Sequence, residues 1–140
     1  MVNTPLWLLD TNTLSEAAKP IPNPAVLDNL QRYANELALC APVWHELRFG
    51  WLRMAEGRRK DAIGRFVQEV AGALPVIPYD AAAASIHAQI RQKHESEGRP
   101  LPFVDGQIAA IAMAHGLTLI TRNTQDFDPI EGLRVENWFR

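Results

Sequence analysis

The feature that most constrains this chain is a set of short apolar runs with no in–out alternation. Leu6–Leu9 is one, bounded by Pro5 and by the polar cluster Asp10-Thr11-Asn12-Thr13, and Leu117–Thr121 is another. A strand with one wet face alternates apolar with polar residues. An uninterrupted run suits a strand covered on both faces, the environment of a parallel sheet. Leu37–Ala41 and Leu74–Ile77 have the same character, and Leu133–Glu136 is a weaker version of it.

Helical patterns lie between these runs. Trp44, Leu47, Trp51 and Met54 are spaced to share one helix face, with Pro42 well placed to open that helix. A second helical stretch is expected over Asp61–Ala73, after a charged turn Gly57-Arg58-Arg59-Lys60. The Ala-rich Ala81–Glu97 stops at Gly98, and Pro102–His115 stops at Gly116. Pro20–Pro24 reads as a turn between two short helices. Strands alternating with helices predict an α/β fold, a three-layer α/β/α sandwich with a mainly parallel central sheet. At 140 residues the chain is the size of one domain, spanning 1–140, with no repeat or linker inside it.

In such a sheet the binding crevice lies beyond the carboxyl ends of the strands. Asp10 closes the first strand, and Glu46 is expected in the first turn of the helix after the Cys40 strand. Asn123 and Asp126 follow the Leu117–Thr121 strand. Asp105 stands near the start of a helix that runs antiparallel to the strand it enters, so it too should face the carboxyl edge. Four acidic groups are thus expected on one rim. Singly, each has an ordinary reading: Asp10 or its neighbours as a helix cap, Glu46 as a dipole partner, Asp126 as a loop residue. Asp105 fits this less well, because Ile108, Ala109 and Ala112 continue its side of the helix as an apolar row.

Together the four pose an electrostatic problem. Two carboxylates 4 Å apart repel by about 1 kcal/mol in water and about 4 kcal/mol at an effective dielectric of 20. Protonation or a cation must relieve this, and an all-oxygen cluster suits Mg²⁺, or Mn²⁺ in its place, rather than zinc. A cation also answers a puzzle of composition. The formal charge is −2, whereas a chain that grips nucleic acid by phosphate neutralisation alone carries an excess of Lys and Arg.

The lone Cys40 excludes an internal disulfide and a cysteine zinc site, and suits a reducing, cytoplasmic setting. The apolar run before Asp10 lacks a basic flank and is too short for a signal peptide or a membrane span, so no membrane association is expected. His45, His87, His94 and His115 are scattered without ligand spacing. Arg58-Arg59-Lys60 reads as a solvated charge run, and Trp44 with Trp51 as core or dimer contact.

Leu8-Leu9-Asp10-Thr11-Asn12 resembles the opening motif of PIN domains, a hydrophobic strand ending in Asp-Thr-Asn. Val43-Trp44-His45-Glu46-Leu47-Arg48-Phe49-Gly50 resembles their second motif, and Pro102-Phe103-Val104-Asp105-Gly106-Gln107-Ile108-Ala109-Ala110 their third. Ile120-Thr121-Arg122-Asn123-Thr124-Gln125-Asp126-Phe127 is similar to the last, and Leu133 to Trp138 is similar to the ending of VapC-type toxins. Four motifs in order cover nearly the whole chain. The resemblance implies a PIN-like fold and a Mg²⁺-dependent ribonuclease. It further implies the toxin half of a toxin–antitoxin pair, a homodimer restrained by a cognate antitoxin protein.

By position, the resemblance makes Asp10, Glu46 and Asp105 members of the acidic set, with Asp10 and Asp105 holding the metal. The fourth place falls to Asp126, since Asn123 carries no charge and is left as a neutral ligand or water-positioner. Thr11 and Asn12 are expected to orient Asp10, and Thr121 or Arg122 to contact phosphate. Two other readings compete. A phosphatase with Asp10 as nucleophile would want a second Asp where Asn12 stands. A PIN-like module that binds nucleic acid or a regulatory partner without cleavage would leave RNA whole.

Overall fold

The computed structural model describes residues 4–140. Five strands form one sheet: β1 (Trp7–Leu9), β2 (Leu37–Cys40), β3 (Val76–Ile77), β4 (Thr118–Ile120) and β5 (Val135–Glu136). Their order is β3-β2-β1-β4-β5, and every pairing is parallel. The sheet expected to be mainly parallel is therefore parallel throughout. All five expected strands are present, each trimmed by a residue or more at its ends.

The apolar runs behave as covered strands. Leu8, Leu9, Leu39, Leu119 and Ile120 are each 0% exposed. Burying a side chain of this size contributes about 1.5–3 kcal/mol, which is what makes both faces of the sheet apolar. Among the described residues seven α-helices flank it: α1 (Thr11–Glu16), α2 (Pro24–Arg32), α3 (Ala41–Leu52), α4 (Arg58–Arg65), α5 (Ala81–Ser96), α6 (Phe103–Ala114) and α7 (Thr124–Phe127). The architecture is the three-layer α/β/α sandwich expected. Gly116, at φ +65°, takes the left-handed conformation that ends α6. No helix among the described residues is long and apolar enough to cross a membrane.

One segment differs from expectation. Arg58-Arg59-Lys60 is not a turn but the first turn of α4. Gly57, at φ +153°, adopts a backbone conformation closed to other residues and so makes the corner one step earlier. The helix then loosens into a wide turn over Phe66–Val70 and tightens over Ala71–Ala73 before β3.

The topology fixes where a site can form. From β1 the chain leaves toward β2, and from β4 it leaves toward β5, on opposite sides of the β1–β4 pair. The helices following these strands diverge, so a crevice opens at the carboxyl ends of β1 and β4. Asp10 and Thr121 are the first residues past those two ends.

Candidate active site

Asp10 is tied down from three sides. Its backbone N–H donates to the Ile120 carbonyl at 2.9 Å, continuing the β1–β4 ladder one residue beyond the strand. Oδ1 accepts from the Thr11 N–H at 2.8 Å, and Oδ2 accepts from the Thr121 hydroxyl at 2.8 Å. The capping role weighed for Asp10 is thus present: it is the N-cap of α1, bonding the first helical N–H. Only one oxygen serves the helix.

Glu46 comes from α3. It stands in the second turn rather than the expected first, because α3 begins directly at Ala41 with no loop after β2. That distance from the helix start removes the dipole explanation for its charge. Its Oε2 accepts from the Thr11 hydroxyl at 2.5 Å, so Thr11 reaches Asp10 with its backbone and Glu46 with its side chain.

Asp105 lies in the first turn of α6, half-buried, above Ile108, Ala109 and Ala112, all of which are in the core. Its carboxylate has no hydrogen-bond donor among the described residues. Asp126 lies in the first turn of α7 and is exposed.

These four groups feel one another. Burial pushes the Asp10 carboxyl above its usual range, the bonds from Thr121 and Thr11 pull it back, and Glu46 and Asp126 push it up again. Asp105 is also raised, by burial first and then by Asp10, Asp126 and Glu46. Carboxylates just past β1 and on α3, α6 and α7 therefore lie near enough for their charges to interact. Even so, no three His, Cys, Asp or Glu side chains among the described residues stand at ready-made metal-ligand spacing. The cluster is open, and hydroxyls from Thr11 and Thr121 occupy part of it.

The supporting residues divide. Thr121 is fully buried, gives its hydroxyl hydrogen to Asp10, and accepts the Asn123 N–H at 3.1 Å. Asn12 makes no hydrogen bond to the Asp10 carboxylate. Its Oδ1 accepts the Arg122 N–H at 3.2 Å and the Thr13 hydroxyl at 3.2 Å, holding the loop after β4 against α1. Arg122 is exposed, its guanidinium 4.5 Å from the Phe139 ring centre. Thr13, passed over in the sequence, is fully buried, with its hydroxyl also 3.2 Å from the Ile120 carbonyl. Its spacing of three from Asp10, which turns it back over the strand ends, was the available signal.

A groove of about 500 Å³ runs from Thr11 and Glu46 between α1, α3 and α4. Trp51, Met54 and Ile63 form its apolar wall, and Lys19 and Arg59 bring positive charge to it. The basic run is thus split: Lys60 pairs with Glu56 at 2.7 Å, while Arg59 faces the groove. Trp44 and Trp51 pack against the core, with the Arg48 guanidinium 5.6 and 5.5 Å from their rings.

Comparison with known proteins agrees with this geometry. The chain matches the PIN domain family over residues 7–133. It is 36% identical to Toxin FitB of Neisseria gonorrhoeae over 128 residues, 86% of this chain and 89% of that protein. It is 38% identical to VapC ribonuclease Y4jK of Sinorhizobium fredii over 134 residues, 93% of this chain and 95% of that one. Among solved structures, FitAB bound to an IR36 DNA fragment superposes with a TM-score of 0.85 at 31% identity, covering 96% of each chain. A toxin–antitoxin complex from Klebsiella pneumoniae superposes with a TM-score of 0.72 at 25% identity, over 95% of this chain and 98% of that one.

Proposed function

Because the chain belongs to the PIN-domain family, we propose that it is a metal-dependent endoribonuclease and the toxin half of a toxin–antitoxin pair. What supports the chemistry is that Thr11 joins Asp10 to Glu46 at the end of β1, and that Asp105 feels the charges of Asp10, Asp126 and Glu46. Ribonuclease and toxin relatives support the substrate class and the setting. The structural neighbours support an antitoxin protein as partner. Large apolar side chains left exposed, among them Phe49, Leu52 and Phe103, are what a partner or a second copy in a homodimer would cover.

The donor set fits a hard divalent cation. It is all oxygen, and Asp105 has a half-buried carboxylate with no donor among the described residues, beside other carboxylates that raise its pKa. Asp10 and Asp105 would hold Mg²⁺, or Mn²⁺ in its place, with Asp126 and the neutral Asn123 at the margin. When bound, such a cation supplies Lewis acidity toward a phosphoryl oxygen and makes water a stronger acid.

The chain's own groups do the rest. The bonds from Thr121 and the Thr11 N–H favour the ionised form of Asp10 against burial and fix the direction of its carboxylate. Glu46 has Oε2 committed to Thr11, which leaves Oε1 to accept a proton from the water that attacks phosphorus. As that water attacks, the P–O bond to the leaving ribose oxygen breaks and that oxygen takes a proton from solvent. In a protein that is acidic overall, Arg59 and Arg122 offer local positive charge to the phosphate backbone of RNA.

The experiment is cleavage of RNA by purified, partner-free protein, with and without a chelator, beside Asp10→Asn and Asp105→Asn. Metal-dependent cutting that both variants lose is expected. Uncut RNA in every lane would favour the binding-module reading, and cutting by a folded double variant in EDTA would remove the carboxylate mechanism.

A further inference from the structure

We propose that His87, on α5, is a positioning residue for Asp105, acting through the first turn of α6 against which its ring is wedged. The proposal rests on the reading of Asp105 as a metal-holding carboxylate.

His87 is 4% exposed and shares the inward side of α5 with Ala83 and Ile90. Its ring is fixed at one nitrogen, because Nδ1 lies 2.7 Å from the Tyr79 hydroxyl, which comes from the segment between β3 and α5. From there the ring touches two residues that bracket Asp105. It meets Phe103 edge-on, with ring centres 4.8 Å apart. On its other side it presses on Gly106, where a Cβ would stand 2.4 Å from Nε2 and 2.7 Å from Cδ2. Burial and the nearby Arg91 both favour the uncharged imidazole, which suits a ring packed in this way.

Two features make this more than a histidine filling core space. First, a glycine inside a helix is destabilising relative to alanine. At 106 the lost stability is explained by the imidazole edge, which needs the missing methyl. Second, no side chain among the described residues hydrogen-bonds to Asp105. Pro102 gives α6 no side-chain cap, and the Asp105 carboxylate has no donor among the described residues. Its direction follows from where the first turn of α6 sits, and the His87 ring, anchored by Tyr79, packs directly against that turn. Groups that orient a metal-holding side chain from behind typically change metal affinity about 10- to 100-fold when removed.

The test uses Mn²⁺ alone, titrated into the metal-free protein and followed by the signal of free Mn²⁺, together with RNA cleavage at saturating Mn²⁺ and the thermal midpoint. Tyr79→Phe deletes one hydroxyl from a half-buried ring and should leave the protein folded. It is expected to weaken Mn²⁺ binding about tenfold. Gly106→Ala is expected to do more, and Gly106→Ala combined with His87→Ala to recover part of the loss, because the added methyl then has room. A purely structural role would lower the midpoint and leave Mn²⁺ affinity of the folded protein unchanged. Unchanged affinity in Tyr79→Phe, with no recovery in the double variant, overturns the positioning role alone. Wild-type protein that neither binds Mn²⁺ nor cuts RNA overturns the metal-site reading and this proposal with it.

Discussion

The Thr121 hydroxyl donates to Asp10 Oδ2 across 2.8 Å, joining the ends of β4 and β1 at a point where neither side chain has another such link between the strands. Thr121 is fully buried, and its bond lowers a carboxyl pKa that burial raises. Thr121→Val keeps the shape and removes the donor, and it also strips the Asn123 N–H of its acceptor. A hydrogen bond to a charged group contributes about 1.5–3 kcal/mol, so the Asp10 carboxyl should rise further and the acidic limb of the cleavage–pH profile should move to higher pH. Thr121→Ser, which retains the hydroxyl, should keep the wild-type limb. Coincident profiles for all three proteins would show that this bond has no part in the chemistry.

The raised carboxyls of Asp10 and Asp105 also set how stability follows pH. A carboxyl with a higher pKa folded than unfolded binds protons more readily in the folded state, so it destabilises the fold once ionised. For the metal-stripped protein, these two groups should raise the thermal midpoint as pH falls from neutral into their titration range. The gain should level off near the ordinary value of 3.8. Glu16 and Glu131 act in the opposite sense, held low by bonds from Lys19 and Lys93, and their contribution is lost only below the ordinary 4.5. A midpoint that is highest on the mildly acidic side is expected. A steady fall from neutral pH downward would mean that the crevice carboxyls are not raised.

Asp105→Asn separates stability from function more sharply than Asp10→Asn. The Asp10 carboxylate accepts two hydrogen bonds, and an amide would turn its NH₂ toward one of those donors. Asp105 accepts none from the described residues and is surrounded by carboxylates. Removing its charge should stabilise the metal-free protein by about 0.5–2 kcal/mol, the usual gain from relieving a strained functional site. Added Mn²⁺ should reverse the order, because only the wild type gains from ligand binding. Urea unfolding of both proteins, with and without Mn²⁺, measures this, and an Asp105→Asn protein less stable than wild type in chelator would refute it.

How much of this was legible before folding varies by element. The strands were, because a run such as Leu6–Leu9 or Leu37–Ala41 has no polar residue to turn toward water. The positions of Asp10, Asp105 and Asp126 were too, since each follows or opens an element whose direction the parallel sheet dictates, whereas Glu46 lies a turn further into α3 than expected. The hydrogen bonds were not. Thr11 sits next to Asp10 in sequence, yet its hydroxyl goes to Glu46, 35 residues away. Asn12, expected to orient Asp10, instead braces Arg122, 110 residues away. Such pairings depend on side-chain directions that no periodicity encodes. The start of α4 was misplaced for a local reason, because three basic residues look like a solvated turn until Gly57 is known to make the corner.

Two helical glycines should respond in opposite directions to the same substitution. Gly50 in α3 has nothing within 4 Å of where a Cβ would stand, so Gly50→Ala should stabilise the fold by about 0.5–1 kcal/mol through backbone entropy alone. Gly64 in α4 is buried, and its Cβ would lie 2.5 Å from Trp51 Nε1 and 2.6 Å from Cε2. Alanine brings the same intrinsic gain there, but the indole must move, and forcing atoms into a packed contact typically costs about 1–3 kcal/mol. The net effect should be a destabilisation of about 1 kcal/mol. Because Trp51 is one wall of the groove beside Glu46, its displacement should also shift tryptophan emission, which Gly50→Ala leaves alone. Urea unfolding and fluorescence of the two variants check both halves. A stabilised Gly64→Ala with unchanged emission would mean that α3 and α4 do not meet through Trp51 as described, and that this groove wall is not fixed in place.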